Sequence, residues 1–135
     1  MLKGNCIHPD IMASLALCGH GDKILIADGN YPLESKTGDA DLVYLGLKPG
    51  IPTVTDVLDS ILSVVAVEKA EVMRTDDGVE PAIFPEFREL LGDLPLEKID
   101  HYDFYDACCD PSVKLAISTG ESRTYANIIL TIGVA

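Results

Sequence analysis

The histidine at position 20 lies between two glycines, in the segment Gly19-His20-Gly21-Asp22. Glycine neighbours leave the backbone free in shape and add no bulk that would bury the imidazole, so we expect an accessible ring. Histidine titrates close to neutral pH, with a reference pKa of about 6.5, and can serve as both acid and base. A plain surface histidine is the alternative interpretation.

Asp28 follows an apolar run at residues 23–27, which is typical of a strand buried on both faces. In open α/β sheets, ligands bind beyond the carboxyl ends of the strands. Asp28 is therefore a candidate ligand-binding carboxylate. Alternatively, it caps the polar loop 29–41 through an Asx turn.

A second polar segment, 118–127, separates two apolar stretches and ends with Tyr125 and Asn127. The spacing predicts a phenol and a carboxamide on one face of a strand, a pair that suits a polyhydroxylated ligand. A hairpin turned by Asn127 is the alternative. His101 follows a possible strand and is interpreted, on its own, as structural or solvent-exposed.

Motifs for other reaction classes are absent. The sequence has no G-x-S-x-G, no P-loop and no H-E-x-x-H, and its Gly-x-Gly at 19–21 precedes a predicted strand instead of following one. His8, His20 and His101 lack the paired spacing of metal ligands. We therefore expect neither a metal nor a nucleotide cofactor.

Composition narrows the possible partners and location. The 135 residues include 22 acidic and 10 basic side chains, a net charge of −12, which argues against nucleic-acid or anionic-membrane binding. No apolar run approaches the ~18 residues of a membrane span, and no signal segment is recognisable. The four cysteines form no C-x-x-C pair, so we expect reduced thiols and a cytoplasmic protein, with Cys108 and Cys109 packing instead of reacting.

Helix and strand patterns alternate along the chain. Thr53 and Asp56 form a capping-box pattern, and Gly19 suits a left-handed residue after a helix. The predicted helices are 9–19, 53–65, 85–92 and 103–110, and the predicted strands are 23–28, 42–45, 70–73, 98–101, 114–118 and 127–132. The alternation predicts a single α/β domain over residues 1–135, built as a three-layer α/β/α sandwich.

An ordered set of short motifs resembles the D-ribose pyranase / L-fucose mutarotase (RbsD/FucU) family. These motifs extend over the whole chain and lie at residues 1–4, 19–22, 27–32, 119–121, 125–130 and 133–134. The resemblance implies an α/β/α fold with a mixed central sheet. It also implies a homo-oligomer, commonly a decameric ring, with pockets near the subunit contacts.

The same resemblance implies roles for individual residues. His20 is expected to be the catalytic acid/base, and Asp28, Tyr125 and Asn127 are expected to bind a monosaccharide, with His101 completing the pocket. Opening a sugar ring at C1 moves one proton off the anomeric hydroxyl and another onto the ring oxygen, which a group titrating near the working pH does best. The reaction needs no cofactor.

Two sugars are candidate substrates, because the sequence resembles both branches of this family. Position 101 is His in ribose pyranases and commonly Arg in fucose mutarotases, whereas segments 29–32 and 104–106 resemble the fucose branch. We expect L-fucose or a similar aldohexose, with D-ribose as the alternative. A non-catalytic sugar-binding component of an uptake system is a further alternative, which would not need His20.

Overall fold

One sheet of six strands, flanked by four helices, makes up the protein in a computed structural model that describes residues 1–135. The helices are α1 Pro9–Leu17, α2 Val54–Leu62, α3 Ile83–Leu91 and α4 His101–Cys108. The strands are β1 Lys23–Ala27, β2 Asp41–Tyr44, β3 Val67–Met73, β4 Leu96–Ile99, β5 Val113–Ser118 and β6 Ile128–Ile132. No helix is long and apolar enough to cross a membrane.

Strand direction determines which loops meet. The sheet order is β2-β5-β1-β6-β3-β4, and only β6 runs antiparallel to its neighbours, β1 and β3. The ends of β1 to β5 and the start of β6 therefore lie along one edge, here called the carboxyl edge. The starts of β1 to β5 and the end of β6 form the opposite, amino edge. The predicted mixed sheet is confirmed.

Side chains of β1 alternate between two apolar cores, as the period of a strand requires. Ile24 and Ile26 pack with residues of α1, α2 and α3 on one face. Leu25 and Ala27 pack on the other face, where α4 and the loop after β1 supply Phe104, Cys108, Tyr31 and Leu33. The predicted three-layer arrangement is confirmed, with three helices on one side of the sheet and one on the other.

The predicted helix ends agree with the structure at α2 and differ at α1. Thr53 and Asp56 exchange side-chain-to-backbone hydrogen bonds, which confirms the capping box. The prediction of a left-handed Gly19 is wrong, because Gly21 takes the positive φ of 90° instead. The N–H of Gly19 donates to the Asp22 carboxylate over 2.8 Å, which closes a turn that contains His20 and the left-handed Gly21.

Two boundaries near the candidate site also shift. β4 ends at Ile99 and α4 begins at His101, so His101 opens a helix instead of closing a strand. Tyr125 and Asn127 both precede β6, and Tyr125 has a φ of 57°. The prediction that these two side chains share one face of a strand is therefore wrong.

Candidate active site

Four of the five predicted site residues line one cavity at the carboxyl edge. This cavity, here called the carboxyl-edge cavity, encloses about 220 Å³. Its lining residues are Asp28, Asn30, Tyr31, Met73, His101, Tyr105, Thr124, Tyr125 and Asn127. Sites for drug-sized molecules usually measure about 300–1,000 Å³, so this volume suits a smaller ligand.

Asp28 lies directly after β1 and is only 2% exposed. One carboxylate oxygen accepts from the N–H of Asn30 over 2.9 Å, and the other accepts from the N–H of Ala126 over 3.2 Å. The first of these bonds is the Asx turn considered as an alternative, so Asp28 both caps the loop and lines the cavity. Burial raises its pKa above the ordinary value, and the hydrogen bonds from backbone N–H groups oppose that rise.

Asn127 is held by the backbone of Asp28. Its Oδ1 accepts from the Asp28 N–H over 2.7 Å, and the residue is 4% exposed. Because Oδ1 is occupied, Nδ2 is left as a donor, and it makes no hydrogen bond within the chain. The hydrogen bond between the two residues thus presents the Asp28 carboxylate and the Asn127 amide donor together in the carboxyl-edge cavity.

Aromatic rings form another part of the cavity. His101 lies 5.0 Å from Tyr105 between ring centroids and meets Tyr125 edge-on at 6.2 Å. Tyr31 lies 5.6 Å from Tyr105. Burial raises the pKa values of Tyr31 and Tyr105, which keeps both phenols protonated. These two tyrosines and Met73 were missed from the sequence, although Tyr105 stands four residues after His101, the spacing of one helix face.

His20 is not part of this cavity. It precedes β1 and lies at the amino edge, whereas Asp28 follows β1 at the carboxyl edge. The five residues of β1 alone separate the two edges by about 16 Å. Asp28 therefore cannot orient the His20 ring of its own chain.

Glu68 is the residue that orients His20 instead. The Nε2 atom of His20 lies 3.0 and 3.1 Å from the two carboxylate oxygens of Glu68, at the start of β3. The His20 side chain is 59% exposed, which agrees with the expected accessibility. No sequence motif pointed to Glu68, because its proximity to His20 depends on where β3 lies in the sheet.

Cys108 packs in an apolar core as predicted, whereas Cys109 is exposed, so the prediction that it packs is wrong. Cys108 is fully buried, and burial raises the pKa of its thiol to about 12, which disfavours a nucleophilic thiolate. Three or more His, Cys, Asp or Glu side chains never gather in a geometry that could hold a metal ion.

Comparisons with known proteins agree with this architecture. The D-ribose pyranase of Halalkalibacterium halodurans is 35% identical over 135 residues, which cover 99% of this chain and 98% of that protein. The structure of Bacillus subtilis RbsD complexed with D-ribose has a TM-score of 0.82 and 31% identity, and the match covers 100% of this chain and 99% of that chain. The Streptococcus pneumoniae fucose mutarotase in complex with L-fucose has a TM-score of 0.81 and 29% identity, covering 96% of this chain and 94% of that chain.

The family comparison covers the chain from end to end. A model described as the RbsD / FucU transport protein family matches residues 1–135. Together with a relative that is 35% identical over almost the whole of both proteins, this match shows that the chain belongs to the RbsD / FucU family.

Proposed function

We propose that this protein is a monosaccharide mutarotase, which interconverts the anomers or ring forms of a free aldose by acid/base opening of the ring at C1. The observation that carries the proposal is the convergence of Asp28, His101, Tyr125 and Asn127 on one small cavity. The named relatives support the same enzyme class, since D-ribose pyranase and fucose mutarotase are both sugar isomerases.

The lining of the carboxyl-edge cavity suits a sugar. The carboxyl group of Asp28, Nδ2 of Asn127 and the phenol of Tyr125 can bind hydroxyl groups as acceptors or donors. The rings of Tyr31 and Tyr105 offer apolar surface to the C–H groups of the pyranose. No lysine or arginine lines the cavity, so its own chain offers a phosphate group no permanently charged partner.

The acid/base residue comes from a second copy of the chain in this proposal. His20 cannot reach the carboxyl-edge cavity of its own chain, since the sheet separates them. A contact between the amino edge of one copy and the carboxyl edge of the next is heterologous, and such contacts form a ring when the rotation between copies closes. This requirement supports the predicted homo-oligomer, and a decameric ring would supply every cavity with one His20.

Glu68 determines which nitrogen of His20 does the chemistry. Because Nε2–H donates to the Glu68 carboxylate, the neutral ring carries its lone pair on Nδ1. Nδ1 takes the proton of the anomeric hydroxyl while the C1–O5 bond breaks, and the proton that ring oxygen O5 gains is delivered by the protonated imidazole or solvent. Ring closure on the other face of C1 reverses these transfers. Acid/base assistance of this kind contributes about 10²–10⁴-fold.

Two sugars are the candidate substrates. L-fucose or a similar aldohexose is proposed first, because segments 29–32 and 104–106 resemble the fucose branch. D-ribose is the second candidate, and it is favoured by His101 and by the 35% identical D-ribose pyranase. All four cysteines are free thiols, which fits the cytoplasmic location that we propose for this reaction.

Exchange NMR on a panel of free aldoses tests the proposal. It measures anomer and ring-form interconversion directly, with His20→Ala as the inactive comparison and His8→Ala as a matched histidine control at the start of α1. We expect saturable acceleration with L-fucose or D-ribose that only His20→Ala removes. Binding of a sugar without accelerated exchange would favour the non-catalytic sugar-binding alternative.

A further inference from the structure

The segment 119–127, which carries Tyr125, is hydrogen-bonded to the rest of the fold at both ends and makes few such bonds in its middle part. At its start, Thr119 and Gly120 donate from their backbone N–H groups to the carbonyls of Ala27 and Pro52. At its end, the N–H of Ala126 donates to the Asp28 carboxylate, and Oδ1 of Asn127 accepts from the N–H of Asp28. Between these anchors, the hydrogen bonds of the structure include none that involve Ser122, Thr124 or Tyr125.

Tyr125 also stands between two cavities. One is the carboxyl-edge cavity, and the other, here called the flanking cavity, encloses about 490 Å³. Thr124 and Tyr125 border both, and the flanking cavity is also lined by the loop 75–82 and the first residue of α3. The flanking cavity therefore leaves space on one side of Tyr125, while His101 and the second apolar core contact its ring on the other.

The backbone of Tyr125 needs a restraint of its own. Its φ of 57° lies in the left-handed region, which bulky side chains avoid. Such a conformation persists only where the surroundings enforce it. Thr124 and Tyr125 form a turn, and Tyr125 makes no hydrogen bond of its own, so a neighbouring residue that fastens this turn would help to hold the conformation.

Arg123 supplies that restraint through its side chain. Its Nε and Nη2 atoms donate to the Glu121 carboxylate over 3.1 and 2.9 Å, and its Nη1 and Nη2 atoms donate to Glu86 of α3. Glu121 is 3% exposed. Burial pushes its pKa upward, but the hydrogen bonds from Arg123 outweigh burial and hold the pKa below its ordinary value. Arg123 thus ties the middle part of the segment to a buried carboxylate and to a helix.

We propose that Arg123 is a positioning residue for sugar binding: it clamps the segment to Glu86 and Glu121 and so holds the Tyr125 phenol in the carboxyl-edge cavity. The effect on sugar binding rests on the proposed function, whereas the position of the Tyr125 phenol does not. Arg88 offers a matched comparison, since it lies on α3, as Glu86 does, and forms an ion pair with Glu80 that does not involve the segment 119–127.

The first test follows Tyr125 itself in the full-length, sugar-free protein labelled with 3-fluorotyrosine. The chain has five tyrosines, and Tyr125→Phe identifies the ¹⁹F signal of Tyr125. Arg123→Met should move or broaden that signal and leave the other four in place, whereas Arg88→Met should leave all five unchanged. An unchanged Tyr125 signal in Arg123→Met overturns the proposal. Glu86→Gln, at a half-exposed position, provides the same readout if Arg123→Met does not fold.

The second test is a double-mutant cycle on monosaccharide affinity, measured by calorimetry with L-fucose and D-ribose. Arg123→Met should weaken binding about tenfold in the wild-type background and less than about twofold in the Tyr125→Phe background. An equal loss in both backgrounds would mean that Arg123 acts by general stabilisation, which contradicts the proposal. If the wild-type protein binds neither sugar, the proposed function fails, and the ¹⁹F result still decides the positioning of Tyr125.

Discussion

The backbone N–H of Asp28 donates a 2.7 Å hydrogen bond to Oδ1 of Asn127, a residue 99 positions later in the chain. This bond joins the end of β1 to the start of β6, two strands that pair antiparallel in the centre of the sheet. It also fixes the orientation of the Asn127 amide, so that a donor and the Asp28 carboxyl group are presented together. The candidate site is therefore anchored to the two central strands of the sheet.

Removing the Asn127 side chain should lower stability as well as sugar affinity. In Asn127→Ala the buried N–H of Asp28 loses its acceptor, which costs about 1–3 kcal/mol of unfolding free energy. Urea denaturation measures the loss, and Asn5→Ala is the control, because Asn5 is exposed and hydrogen-bonded at the surface. Equal stabilities of Asn127→Ala and wild type would contradict the geometry described here.

Asp28 should make stability depend on pH with a definite sign. Burial raises the pKa of the folded carboxyl group above the ordinary 3.8, so the folded state holds this proton more tightly than the unfolded state does. The resulting stabilisation is fully present below the ordinary pKa and is lost as the pH rises through the raised value.

Asp28→Asn removes this titration and isolates its effect. The unfolding free energy of wild type minus that of Asp28→Asn should decrease as the pH rises above 3.8 towards neutrality, because the other titrating groups are shared by both proteins. Denaturant titrations across this range give the difference directly. An increase of the difference with pH would show that the carboxylate is stabilised by its hydrogen bonds more than it is disfavoured by burial.

Glu68 should affect the rate of sugar interconversion and leave sugar affinity unchanged. In Glu68→Gln a neutral amide replaces the carboxylate that fixes the orientation and tautomer of the His20 ring, so we expect kcat to fall about tenfold with KM unchanged. Exchange NMR at several sugar concentrations separates the two constants. Glu97→Gln is the matched control, since Glu97 pairs with Lys69 at the surface. A raised KM with an unchanged kcat would contradict the assigned role.

His101 should influence the choice between the two sugars. Arginine has five donors in a rigid fork and stays charged, whereas histidine is shorter and can be neutral. His101→Arg should therefore favour L-fucose over D-ribose by about tenfold, or about 1.4 kcal/mol. The ratio of exchange rates for the two sugars measures this, and an unchanged ratio would show that residue 101 does not contact the sugar.

Local sequence patterns predicted the helices and strands better than they predicted the arrangement of the candidate site. The apolar run of β1 and the Thr53 capping box depend on neighbouring residues, and both were predicted correctly. The left-handed backbone of Tyr125 was not, because bulky side chains rarely adopt this conformation and no residue type in the segment signals it. The resemblance named Tyr125 and Asn127, but it could not place them before β6.

The separation of His20 from the other site residues was also not predictable from local signals. It follows from the strand order and from the single antiparallel strand β6, both of which arise from long-range pairing. Glu68 was missed for the same reason, since only the position of β3 brings it to His20. The sequence therefore named four residues that meet and one that lies at the opposite edge.

Subunit complementation measures whether the acid/base His20 of one copy serves the cavity of another. His20→Ala and Asn127→Ala would each be assayed alone by exchange NMR, then mixed in equal amounts after dissociation and reassembly. Each variant alone should be inactive, and the mixture should regain about a quarter of wild-type activity, because about a quarter of randomly formed contacts pair an intact His20 with an intact cavity. A reassembled mixture as inactive as its two components would contradict the shared site.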